Sequence, residues 1–168
     1  CGLRRGKMLA FRWIASAPGS CEDSGMNETI RRFGYPATLI AENEHWVVLL
    51  RPAQPTLGSL ILAAKGEATS FADLSEGAFA ELQRTVADIE RALGEAVRFE
   101  KINYLMLMMV DPHVHFHVVP RYEGERSACG VTVPDAGWPK VPALGEAVEL
   151  EPKQIEALIA HFRQSWPR

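Results

Sequence analysis

Three histidines alternate with apolar residues in the run His113, Val114, His115, Phe116, His117, and Val118, Val119, Pro120 and Arg121 follow. Successive side chains on a β-strand point to opposite faces. A strand here sets three imidazoles in a row on one face and Val114, Phe116 and Val118 on the other. The apolar set suits a core, whereas the imidazoles suit chemistry. Histidine titrates near neutrality, attacks phosphorus or carbon as the neutral ring, and ligates metals. The chain has five histidines in all, so three within five residues concentrate that chemistry.

Three readings compete on this pattern. The first is covalent catalysis at phosphorus, in which a neutral imidazole attacks a phosphoryl centre and splits one hard displacement into two easier ones. The nucleophile needs one bare nitrogen while a neighbour, commonly a backbone carbonyl, holds the other as N–H. His115 is flanked on both sides and is the natural nucleophile. His113 and His117 are then placed to contact non-bridging oxygens and the leaving group. The second reading is a metal site, with two or three imidazoles on zinc or iron. Such a site usually adds a carboxylate; Asp111 lies at the right parity, but Pro112 breaks the pleat between them. The third is a set of half-exposed polar strand positions without chemistry, which suits one histidine better than three.

The elements that must position this run are legible around it. Leu39 to Ala41 and Trp46 to Leu50 are short apolar runs joined by a polar turn, Glu42 to His45, and read as a hairpin. Leu60 to Ala63 reads as a buried strand after the bend at Pro52 and Pro55. Phe79, Leu82, Val86, Ile89 and Leu93 recur at helical spacing, with Asp73 or Ser75 to cap the start and Gly94 to end the helix. Ile102 to Val110 reads as a central strand, and Asp111-Pro112 as a turn returning the chain antiparallel into the histidine strand. Beyond Arg121 the chain reads as an irregular, Gly-rich surface segment. Ile155, Leu158, Ile159, Phe162 and Trp166 then mark an amphipathic helix after Pro152. The sum is an α+β fold with helices packed on one face of an antiparallel sheet.

Composition sets the outer bounds. The chain has 168 residues, 47% of them apolar and 23% charged, enough for one domain with a real core. Its formal net charge is −3, and Arg4-Arg5 and Arg31-Arg32 are short pairs expected to be solvated. No nucleic-acid or membrane partner is expected. Cys1, Cys21 and Cys129 form no Cys-x-x-Cys pair, which favours a reducing compartment, read here as the cytoplasm. Residues 1–25 are expected to be an extension, flexible or partly tag-derived, and 26–168 a single domain. Met8 to Phe11 after a basic stretch faintly resembles a signal peptide, but Arg12 interrupts the apolar run.

The run from His113 to Val119 has the form His-φ-His-φ-His-φ-φ, where φ is apolar, and resembles the signature of the histidine triad (HIT) nucleotide hydrolases and transferases. The block Arg51-Pro52 to Gly58-Ser59-Leu60-Ile61-Leu62 and the stretch Phe71 to Ser75 resemble the same family. The likeness spans about Arg32 to Tyr122 and is nearest to bacterial diadenosine tetraphosphate hydrolase-like members. It implies a five-stranded antiparallel sheet with a central helix and a C-terminal helix, in a homodimer whose sheets join side by side. It implies a nucleoside phosphate substrate attacked at its α-phosphorus by His115 through a nucleotidyl-histidine, with His113 orienting and His117 contacting phosphate or leaving group. No cofactor is required, and a divalent cation would enter only with the substrate.

Two departures from that pattern stand out. Many members carry a fourth histidine where this chain has Ser59, and a hydroxyl cannot carry a positive charge. Many also have a Gly-Gln-Ser/Thr loop before the triad, where this chain has Met108-Met109-Val110-Asp111-Pro112. Substrate contacts are therefore expected from Asn103, Ser59 and Arg121, with Phe33 and Tyr35 lining a base pocket. The methionines 106, 108 and 109 read as core filler, and His45 and His161 as solvent-facing. The alternatives are a non-catalytic nucleotide-binding protein on the same fold and a small metalloenzyme with three histidine ligands.

Overall fold

The apolar runs assemble into one five-stranded antiparallel sheet in the computed structural model, which describes residues 25–167. Cys1, Cys21 and the expected extension, apart from Gly25, lie outside the described residues. In chain order the elements are α1 (Glu28–Arg32), β1 (Leu39–Glu42), β2 (Trp46–Leu50), β3 (Ala53–Gln54), β4 (Leu60–Ala64), α2 (Glu76–Ala96), β5 (Lys101–Leu105), β6 (His115–Arg121), β7 (Glu125–Ala128), β8 (Val131–Pro134), β9 (Val148–Glu149) and α3 (Pro152–Gln164). The sheet runs β1-β2-β4-β6-β5, so the histidine strand β6 lies between β4 and β5. The expected hairpin of β1 and β2 and the antiparallel pairing of β5 with β6 are both present.

The two faces of the sheet carry different loads. Trp46, Val48, Leu50, Leu60, Leu62, Val114 and Val118 point to one face and form the main core with α2 and α3. Burial of this apolar area supplies the dominant drive for folding. Helix α2 begins where the Ser75 hydroxyl accepts the Ala78 N–H at 3.1 Å, and it buries Thr85, Ile89, Ala92 and Leu93. Helix α3 opens with a reciprocal Glu151/Gln154 cap and Pro152 in its first turn, and buries Leu158, Ile159 and Phe162. Its Arg163 donates to the carbonyls of Leu39 and Ile40, which closes helix α3 over the β1 edge. The opposite face holds the histidines beside a smaller cluster, Val47, Leu49, Ile61 and Ala63, covered by Met26 and Ile30.

Several sequence readings are corrected here. Gly94 does not end α2, which runs on to Ala96. The left-handed residue that closes it is Arg98, at φ 55°, whose N–H reaches back to the Leu93 carbonyl. The expected central strand over Ile102 to Val110 is an edge strand that stops at Leu105. Beyond that point the chain must leave the sheet to loop back into β6, and Leu107, Met109 and Val110 are exposed, Met109 at 93%. Met109 is therefore not core filler, while Met106 and Met108 do pack against the core. Phe79 is also exposed, edge-on to Phe71 at 5.1 Å rather than in the core. The segment after Arg121 is more ordered than its composition suggests. Arg126-Ser127-Ala128 and Val131-Thr132-Val133 alternate about a Cys129-Gly130 turn and pair as the β7–β8 hairpin. His45 is not solvent-facing, since its Nδ1 meets Glu81 at 3.0 Å.

Candidate active site

Register decides which side chains share the histidine face. His117 stands opposite Ile61 on β4 and Leu105 on β5, and His115 opposite Ala63. The next strand continues these rows, with Leu49 opposite Ile61 and Val47 opposite Ala63. The imidazoles thus project on the side covered by α1. His113 precedes the first residue of β6, and the pleat is held there because Val114 N–H donates to the Ala68 carbonyl and its own carbonyl accepts Ala64 N–H.

The three imidazoles have distinct surroundings. His115 is fully buried, and its Nδ1 lies 2.7 Å from the His113 carbonyl. A carbonyl only accepts, so Nδ1 carries the proton and Nε2 keeps a lone pair. That Nε2 is buried and has no hydrogen-bond partner among the described residues. His113 is held from both ends: the Thr29 hydroxyl meets Nδ1 at 2.9 Å, and Nε2–H faces the Glu67 carboxylate at 3.2 Å. His117 stands edge-on to His115 with ring centroids 5.1 Å apart. Burial first, then the His115 ring and the Arg51 charge, pull the His117 pKa down to about 4, and Asp111 opposes them only in part. His117 is therefore neutral at pH 7, and its Nδ1 is buried without a partner among the described residues.

The other residues expected at the site divide into two groups. Phe33, at the end of α1, joins the triad, with its ring centroid 5.6 Å from His115 and 5.7 Å from His117. Tyr35 packs on the same small apolar cluster. Ser59, Asn103 and Arg121 are turned to internal partners. The Ser59 hydroxyl donates to the Thr56 carbonyl at 2.8 Å. Arg121 is buried and grips both oxygens of Asp135, with Nε at 2.6 Å and Nη2 at 3.1 Å. Its Nη1 donates to the Asn103 side-chain oxygen at 2.9 Å, which satisfies that amide.

Four contributors escaped the sequence reading. Thr29 and Glu67 hold His113, and nothing local in the sequence marks either. Arg32 meets Asp111 at 3.2 Å, so the acid beside the triad is neutralised by α1. Arg51 follows Val47 and Leu49 at period two, a signal that would have set it on the histidine face. The assembled site offers a buried, oriented imidazole nitrogen with a free lone pair, a second neutral imidazole beside it and the Phe33 ring 5.6 and 5.7 Å from the two.

A family model described as HIT domain matches residues 32–124. A curated protein, the adenosine 5'-monophosphoramidase of Schizosaccharomyces pombe, is 27% identical over 124 residues, 73% of this chain and 84% of that protein. A histidine triad (HIT) protein from Sinorhizobium meliloti superposes with a TM-score of 0.64 at 22% identity, covering 83% of this chain and 94% of that one. A histidine triad protein from Marinobacter aquaeolei gives 0.62 at 19% identity, over 81% and 93% of the two chains. The two structures share the α+β fold described above.

Proposed function

This chain belongs to the HIT family, and from that premise we propose that it hydrolyses or transfers a nucleoside monophosphate group through a covalent intermediate on His115. The observation that carries the reading is the His115 ring itself, whose Nδ1–H is fixed by the His113 carbonyl and whose Nε2 is left bare. In the first step Nε2 forms a bond to the α-phosphorus and the bond from phosphorus to the leaving group breaks. The leaving group departs with the electron pair and takes up a proton. In the second step water, or another acceptor, attacks the same phosphorus, the N–P bond breaks, and the neutral ring and the nucleotide product are released.

The surrounding residues have assignable roles in that sequence. The His113 carbonyl stabilises the positive charge that the His115 ring acquires on attack. Thr29 and Glu67 keep the His113 backbone and ring in place for this. His117 faces the leaving side; an anion bound beside it raises its proton affinity and lets it serve as the proton donor. Phe33 and Tyr35 offer ring faces to a base. The activity of the Schizosaccharomyces pombe relative supports an amine leaving group, and the likeness to diadenosine tetraphosphate hydrolases supports a second nucleotide. The reaction needs no resident metal, a divalent cation entering only with a polyphosphate substrate. The exposed apolar run Leu107, Met109, Val110 beside the β5 edge supports a homodimer, and the absence of any Cys-x-x-Cys pair supports a cytoplasmic setting.

Intact-protein mass spectrometry tests the chemistry. Brief mixing with an adenosine phosphoramidate or with diadenosine tetraphosphate, then a mild quench, should add one adenylyl mass to the wild-type chain. His115→Asn should show no adduct and lose at least about 1,000-fold in turnover, the scale seen when a covalent nucleophile is removed. Full turnover by His115→Asn would remove the nucleophile assignment. A second reading, a nucleotide-binding protein without turnover, has one observation in its favour: the Ser59 hydroxyl is bonded inside its own turn and gives the substrate nothing. Tight nucleotide binding with neither adduct nor product would support it.

A further inference from the structure

The positive charges around the triad are almost all accounted for by acids. Arg121 is closed by Asp135, Arg32 meets Asp111, and Lys65 lies 2.8 Å from Glu42. Arg51 differs from these. It has no hydrogen bond or ion pair from its side chain among the described residues, and its Nη1 is buried without a partner. Glu149 attracts it, but from beyond ion-pair distance. A half-buried guanidinium with no acid in ion-pair reach is costly to keep unless something negative is delivered to it.

Arg51 is also aimed by the sheet. Its N–H donates to the Ser59 carbonyl at 3.1 Å, which extends the β2–β4 ladder by one pair. The register then runs on to Val119 of β6 and Asn103 of β5, one row past His117. Arg51 continues the parity of Val47 and Leu49 and so belongs to the histidine face. Two strand spacings and two residues of rise put its Cα roughly 12 Å from that of His117. An extended arginine spans much of that gap, and its charge acts on the His117 ring. His115 lies a further two residues back, so a phosphate held at its Nε2 does not sit under the guanidinium. A neighbouring group on the same substrate would.

We propose that Arg51 is a phosphate-binding residue of this site, taking a second phosphate of the nucleotide beyond the one attacked by His115. The assignment rests on the nucleotide reading above and narrows it to substrates with two phosphate groups. The second group is either the next phosphate of the chain or a phosphate on the ribose; both offer the paired oxygens that a guanidinium binds in fork geometry.

Calorimetric titration of the full chain carrying His115→Asn, which blocks turnover, tests this with AMP, ADP and adenosine 2',5'-bisphosphate. Either ADP or the 2',5'-bisphosphate should bind roughly 10-fold or more tightly than AMP, and which one it is locates the second group. Adding Arg51→Gln should collapse that ratio toward one, and Arg51→Lys should restore part of it, a rescue that a merely structural arginine would not show. No advantage for ADP or for the 2',5'-bisphosphate, or an advantage that survives Arg51→Gln, overturns the assignment. Inorganic pyrophosphate against phosphate separates the two levels of inference. Arg51-dependent pyrophosphate binding without nucleotide binding sinks the nucleotide reading and keeps the role of Arg51, whereas binding of none of these probes sinks both.

Discussion

A histidine that stays neutral far below pH 7 is a different reagent from one that titrates there, and His117 is of the first kind. Its pKa of about 4 follows from burial, from the His115 ring and from the Arg51 charge. In the unfolded chain the same ring titrates near 6.5. Between those values the unfolded state holds a proton that the folded state refuses, so the stability His117 contributes is full above the unfolded pKa and is lost as pH falls toward 4. The slope is no more than about 1 kcal/mol per pH unit, since partial solvation screens the effect. Imidazole NMR should show the His117 ring still neutral at pH 5. A His117 midpoint near 6.5 would contradict the environment described. The residue scale is also where the sequence was most informative. The period-two run located the triad, because alternation alone sets a face. It gave no account of partners that come from elsewhere: Thr29 and Glu67 are 84 and 46 residues from His113, and only the fold brings them there.

At the scale of elements, the site depends on how β4 enters the sheet. Gly58 sits at φ +86°, and a Cβ there would come within 2.7 Å of Val97 Cγ2 and 3.1 Å of Leu93 Cδ2. The turn that starts β4 is thus pressed against the end of α2. Gly58→Ala should cost about 2–4 kcal/mol from the left-handed backbone and the overpacking together. Urea unfolding would show this as a lower midpoint at constant slope, and a loss below about 0.5 kcal/mol would mean the contact relaxes freely. The apolar runs made four of the five sheet strands readable; β2 and β4 are buried throughout, while β1 and β5 at the edges are only partly buried. The errors fell where local signals and tertiary demands part. Gly94 is a good stop signal inside a helix that packing carries further, and the apolar run after Leu105 belongs to a loop that turns Met106 and Met108 to the core and leaves Leu107, Met109 and Val110 in solvent. The β7–β8 hairpin was hidden because its strands are short and half polar.

At the scale of the molecule, the exposed side chains Leu107, Met109 and Val110 and the unpaired edge of β5 lie together. Light scattering at micromolar concentration should give twice the mass of one chain, and Leu107→Asp with Met109→Asp should return it to one. A wild-type monomer would remove the homodimer proposal. The overall class was legible from the sequence because the order of hairpin, bend, strand, helix and histidine strand is itself restrictive. The face on which α1 lies was not, because α1 spans only five residues and a pattern that short does not say which side of the sheet it covers.

The two edges of the sheet are unlike. Arg163 holds the Leu39 and Ile40 carbonyls from α3, and the β1–β2 register slips between Leu39 and Ala41, so β1 presents no regular row of groups to another strand. β5 has no strand on its outer side among the described residues. Strand addition to this sheet would therefore start at β5 and not propagate: in the homodimer proposed above each chain would bring a sealed far end, and the assembly would terminate at two instead of growing into a fibre.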